Sequence, residues 1–107
     1  MPQDIAAAFE REMWHLYEEP KRRFGYNATY FLQMLEEGQP VDTARILVLD
    51  PRHSDGLTFL WEKHALDLSV EALVLRDPWN TLFAPEVLEA ARKKLRGLGY
   101  SEPGLDL

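Results

Sequence analysis

Apolar side chains recur along this chain at helical spacing, and proline and glycine fall between the periodic segments rather than inside them. Set out at about 100° steps, Ile5, Ala8, Phe9, Met13 and Leu16 share one stripe, which predicts an amphipathic first helix from Gln3 to Glu19. Pro20 is expected to end or kink it, with Lys21-Arg22-Arg23 leaving room for one more turn before Gly25. Trp14 falls off the stripe, between Glu10, Arg11 and Glu18, and is a candidate exposed aromatic. The second helix is expected from Ala28 to Glu37, with Asn27 as N-cap and Gly38 as the stop. Its stripe is Ala28, Phe31, Leu32 and Leu35, and Tyr30 and Met34 form a second strip behind.

Pro40 suits the first turn of a third helix running to Leu49, packed through Val41, Ala44, Leu47 and Val48. Ser54 is placed to cap a fourth, with Leu57, Leu60, Trp61 and His64 on the buried side and Phe59 pointing away. Ser69 can cap a fifth, from Val70 to Arg76, whose polar residues are Glu71 and Arg76 alone; it is expected near the centre. After the turn Asp77-Pro78-Trp79-Asn80, Pro85 opens a last helix to Arg96, closed by Gly97. Its apolar face is Val87, Leu88, Ala91 and Leu95, and its charges complement the helix dipole and set Glu89 against Lys93.

No stretch sustains period-two alternation, and 17 leucines against 11 Val, Ile and Thr together favour helix over strand. The expected fold class is therefore all-α, a compact bundle of five or six short helices. One domain spans residues 1–107, with residues 101–107 expected to fray.

Composition narrows the function. With 107 residues, 46% hydrophobic and 28% charged, the chain suits a single core. Folding at this length buries roughly 65% of the unfolded surface, so neither metal nor disulfide is needed as a staple. The chain has no cysteine, which removes thiol chemistry, Cys-ligated zinc and disulfides, and suits a reducing cytoplasm. Asp4 stands where a signal peptide needs a basic segment, and no apolar run approaches the roughly 20 residues of a membrane span. The expected setting is cytoplasmic, away from membranes. The net charge of −6 divides evenly between the two halves of the chain, which argues against a basic nucleic-acid arm.

No cofactor, metal or catalytic residue is assigned. His15, His53 and His64 are scattered, and no HExxH, EF-hand, GxSxG, P-loop or dinucleotide-binding pattern occurs. The nearest thing to a site is Asp50-Pro51-Arg52-His53-Ser54-Asp55-Gly56, which gathers carboxylates, an imidazole and a hydroxyl that can bind a metal or move protons. The same residue types serve a connection between capped helices, and that reading is preferred. His64 likewise reads as a hydrogen-bonded boundary histidine.

Apolar surface is left over. Trp14, Tyr30, Met34 and Phe59 all lie off the main stripe of their helices, and an inner helix facing two neighbours accounts for part of this. The rest makes these four a candidate surface for a protein partner or for self-association. Nucleic-acid association is the alternative. The second and third helices suggest a helix-turn-helix, but only Thr43 and Arg45 are placed to read bases, beside an unfavourable Asp42. Backbone contacts would come from Lys21, Arg22 and Arg23 with Arg92, Lys93 and Arg96, residues that otherwise read as solvated helix ends.

The blocks Gly25-Tyr26-Asn27-Ala28-Thr29 with Phe31-Leu32-Gln33-Met34-Leu35, Ser54-Asp55-Gly56-Leu57-Thr58 with Leu60-Trp61-Glu62, and Asp67 through Leu75 carry a resemblance. The chain resembles a family of small uncharacterised bacterial helical proteins or domains that share these blocks in this order, over most of residues 10–100. That resemblance implies no catalytic residues. Similar segments also end longer, nuclease-like chains, which implies a partner of such machinery rather than a reader of bases. The reading reached from residues and resemblance together is a non-catalytic interaction module.

Overall fold

The computed structural model describes residues 4–100 and is all-α: among these residues there are six α-helices, two short 3₁₀ turns and no strand. The helices are α1 (Ile5–Phe24), α2 (Thr29–Glu37), α3 (Pro40–Leu49), α4 (Asp55–Glu62), α5 (Val70–Val74) and α6 (Pro85–Gly97). The 3₁₀ turns Leu66–Leu68 and Trp79–Leu82 flank α5. The expected fraying of 101–107 lies outside the described residues.

Apart from α1, each helix is shorter than or near the ~12–15 residues below which an isolated helix is marginal in water, so packing must hold them. α3 supplies the hub, in contact with α1, α2, α5 and α6. α5 crosses it and packs on α6, and Ala72, Leu73 and Val74 are almost completely enclosed, as expected for the central element. Phe9 and Met13 of α1 close the core from one side, Phe9 meeting Phe83 edge-on at 5.5 Å and Trp79 at 5.8 Å.

Helix ends explain most departures from the sequence reading. Asp4 caps α1 by accepting from the Ala6 and Ala7 N–H groups. Pro20 does not end that helix: it sits inside it, its ring buried, and α1 runs on to Phe24. Gly25 stops it in the left-handed region at φ 67°, where a Cβ is strained, and donates to the Lys21 carbonyl while Tyr26 N–H reaches the Pro20 carbonyl. Asn27 is not the N-cap of α2; Ala28 holds that position, with no side-chain cap. Ser54 and Ser69 cap as expected, accepting from Leu57 and Ala72 N–H.

α4 ends two residues before His64, which takes a positive φ of 56° and is exposed rather than on a buried stripe. Trp61 also leaves the stripe, 46% exposed, with its indole N–H donating to the Leu98 carbonyl at 3.1 Å. α5 stops at Val74, short of Arg76, and α6 includes Gly97 instead of stopping before it.

Burial separates the cost of truncating a core and a surface leucine-type side chain. Leu73→Ala, at 1% exposure, should cost about 2–5 kcal/mol through lost transfer energy and a cavity. Ile46→Ala, at 51% exposure, should stay within about 0.5 kcal/mol of wild type. Urea unfolding of both variants measures the difference.

Candidate cavity and its buried ion pair

The four candidate surface residues are not equally available. Tyr30 is 67% exposed at the start of α2. Trp14, expected to be exposed, is instead half-buried against the core and meets Tyr17 edge-on at 6.2 Å. Met34 is half-buried. Phe59 does not point away but packs between Phe24, edge-on at 5.9 Å, and Tyr26, stacked at 4.3 Å. The physical reason is that α1 meets α2 and α3, and α4 meets both the Leu66–Leu68 turn and Phe24 of α1, so a second apolar strip is covered too.

Phe59 thereby supports a feature that sequence reasoning did not find. A cavity of about 330 Å³ opens between α1, α2, α4 and α5. Its walls are aliphatic and aromatic: Leu16 and Pro20 from α1, Phe31 from α2, Leu57 and Leu60 from α4, Val70 from α5. Three helix starts converge on it, Asn27-Ala28-Thr29, Ser54-Asp55-Gly56 and Ser69-Val70-Glu71. The three blocks quoted for the resemblance therefore meet here, although they lie far apart in the chain. Tyr30 stands on the rim, and the αL turn at Gly25 delivers Tyr26 to the lining.

Both serine hydroxyls of the lining are engaged. Ser54 Oγ accepts from Leu57 N–H at 3.0 Å. Ser69 Oγ donates to the Leu66 carbonyl at 2.7 Å and accepts from Ala72 N–H at 3.1 Å. Burial, with the nearby Asp55 charge adding to it, pushes the Tyr26 hydroxyl's pKa up.

Glu71 belongs to the lining. It faces both the cavity and the core, and its carboxylate Oε2 lies 3.4 Å from Lys94 Nζ, the two side chains being 7% and 9% exposed. Lys94 also donates to the Leu47 carbonyl at 3.0 Å, so one ammonium on α6 ties together α3 and α5. Lys94 stands among the basic residues that end α6, yet the structure buries it. The signal was present, since Lys94 continues the spacing of Val87 and Ala91, and Glu71 interrupts an otherwise apolar turn. Burial raises the Glu71 carboxyl above the ordinary carboxylate range, outweighing the lowering by Lys94.

The loop from Asp50 to Gly56 does not gather its chemistry at one point. Asp50 accepts from Arg52 N–H at 2.9 Å and from its guanidinium at 3.3 Å, which holds its carboxyl below the usual range, while Asp55 lies on the cavity. Among the described residues no three His, Asp or Glu side chains are placed to hold a metal ion.

The basic candidates are exposed but mostly occupied. Arg22 pairs with Glu19, and Arg92 and Arg96 both pair with Glu89, at 3.5 and 3.1 Å. Glu89 thus meets these two rather than the expected Lys93. Lys21 lies over the Tyr17 ring at 5.6 Å and Arg23 over Phe24 at 5.1 Å. Among the described residues no helix is long and apolar enough to cross a membrane. Comparison with family models, curated proteins and solved structures gives no match for this chain.

Removing one partner of a buried pair strands the other charge. Lys94→Met should cost about 3–5 kcal/mol near neutral pH, and Glu71→Met with Lys94→Met should be less destabilised than that single variant. A carboxyl whose folded pKa is raised contributes stability that is present below its unfolded value of 4.5 and is lost as pH rises through the folded value. Without Lys94 that value rises further. The deficit of Lys94→Met relative to wild type should therefore shrink as pH falls towards the ordinary carboxylate range. Denaturant unfolding across pH reads this, and a deficit constant with pH would contradict it.

Proposed function

We propose that this chain is a non-catalytic interaction module that seats one apolar anchor side chain of a protein partner in the cavity between α1, α2, α4 and α5. The cavity itself carries the reading: about 330 Å³ of space with aliphatic walls, at the small end of the ~300–1,000 Å³ common for ligand pockets. That size suits an anchor residue, and hot spots at interfaces are typically such anchors in preformed pockets. Exposed Tyr30 on the rim adds the kind of aromatic contact that partners use.

Electrostatics supports a neutral anchor. Lys94 balances Glu71, and Asp55 sits in the first turn of α4, where the N-terminal half-charge of the helix offsets part of its charge. The hydroxyls of Ser54 and Ser69 serve helix ends, which favours binding over nucleophilic chemistry. Nucleic-acid association draws less support, because Arg22, Arg92 and Arg96 spend their charge on acids of their own helices. A cytoplasmic, bacterial setting belongs to the same reading, resting on the cysteine-free composition and the resemblance.

Gly56→Leu tests the proposal without threatening the fold, since Gly56 lies in the first turn of α4 on the lining, and a Cβ there meets its neighbours at ordinary distances of 3.7 Å or more. Peptides selected from a displayed random library on the immobilised chain should lose about tenfold or more in affinity to Gly56→Leu. Tyr30→Ala should weaken them by a smaller factor. Fluorescence anisotropy measures both, and selected peptides indifferent to Gly56→Leu would dismiss the cavity as the anchor site. Light scattering over a concentration series separates a foreign partner from a second copy.

A further inference from the structure

Glu71 is the one carboxylate that both lines the cavity and lies in the core, at 5% exposure. The charges of Lys94 from α6 and His53 from the α3–α4 connection act on it; Asp55 from α4 and the phenols of Tyr26 and Tyr30 share the cavity lining, and Asp50 lies close enough to Lys94 to feel its charge. The cavity residues of α1 and α3, Leu16, Pro20 and Leu47, bring apolar side chains. The carboxylate meets Lys94, and the rest of its solvation is limited to the small part of Glu71, 7% of the side chain, that solvent still reaches at the lining of the cavity. An apolar side chain seated there removes water from that face and returns no hydrogen bond, which disfavours the ionised carboxylate.

We infer that the anchor cavity is proton-gated: it holds a neutral apolar group more tightly when Glu71 carries a proton than when it is ionised. This rests on the cavity being the anchor site. Linkage sets the sign. If occupancy favours the neutral carboxyl, binding takes up a proton, and affinity rises as pH falls through the range above the ordinary carboxylate value. The starting point is favourable, because burial already raises the Glu71 carboxyl in the empty cavity. Protonation costs Lys94 its charged partner, and the Leu47 carbonyl and the nearby charge of Asp50 offset part of that loss. His53 acts in the opposite sense, because its cation would favour ionised Glu71, but it is exposed and its influence is screened.

Indole, a neutral apolar probe, tests this by NMR titration of the isotope-labelled full chain at about pH 5 and about pH 8, values that bracket the range above the ordinary carboxylate value. The amides of Gly56, Leu57, Val70 and Ala72 should shift saturably. The dissociation constant should be lower at the acid pH, by up to about threefold for a half-unit rise at one carboxyl. In Glu71→Gln the pH dependence should vanish and the tighter affinity should hold at both values; in His53→Gln it should persist. The carboxyl ¹³C signal of Glu71 should titrate at higher pH when indole is saturating. Equal affinity at the two pH values, with the cavity amides still shifting, overturns the gate and leaves the anchor site standing. No shift of those amides at either pH overturns both.

Discussion

One buried ammonium organises this domain. Lys94 reaches inward from α6, donates to the Leu47 carbonyl at the end of α3 and meets the Glu71 carboxylate on α5. Of these helices α5 is barely more than one turn and α3 and α6 are short, so their mutual arrangement depends on tertiary contact. Apolar packing supplies the bulk of that contact through Ala44, Val48, Leu73, Val74, Ala91 and Leu95. Apolar packing is non-directional, however, and tolerates sliding. A charge that must find both a carbonyl and a carboxylate does not, because a shift by one turn leaves it unpaired in the core.

That arrangement has a consequence on the far side of α5. With Glu71 turned to Lys94, the N-terminal turn of α5 lies beside the starts of α2 and α4, and the space between them is the cavity. Helix starts carry unsatisfied N–H groups, so polar side chains gather there. Ser54, Ser69 and the first-turn acids Asp55 and Glu71 answer that need. The walls behind them are apolar because the same helices turn their buried stripes inward. A polar rim around an apolar hollow thus follows from bringing three helix starts together, and the αL turn at Gly25 adds the Tyr26–Phe59 stack as its outer support.

The helices were legible in the sequence because each carries its own local signals. The stripes of α1 and α6, proline at the start of α3 and α6, and serine caps at α4 and α5 are short-range features. Errors gathered where a side chain had two plausible environments. Trp14 and Phe59 looked free because a single stripe was drawn for each helix, whereas the bundle covers a second. Trp61 and His64 fall on a buried stripe only if α4 continues past Glu62, and it stops there. The site was less legible for a different reason. Its parts come from α1, α2, α4 and α5, and no local pattern states that three helix starts will meet. Lys94 was readable in principle, since its position on the stripe of Val87 and Ala91 outweighs its charge, but a run of basic residues at a helix end offers an easier explanation.

The ion pair is also the point at which stability and function part company. Two charges taken from water into a core recover their desolvation cost only with good geometry, and well-packed apolar residues in their place are often as stable or more so. Stability alone therefore gives weak grounds for Glu71 and Lys94. Had the pair lain wholly inside the core, register would be reason enough. It does not: Glu71 also lines the hollow between α1, α2, α4 and α5. On the proposed reading a leucine at that position would seat an apolar anchor with indifference to pH, and it would leave Lys94 without its carboxylate. An aspartate would be too short to reach Lys94 from the same backbone. Glutamate is the side chain that spans the distance, holds the register of three helices through Lys94, and still leaves a titratable surface beneath whatever the cavity receives.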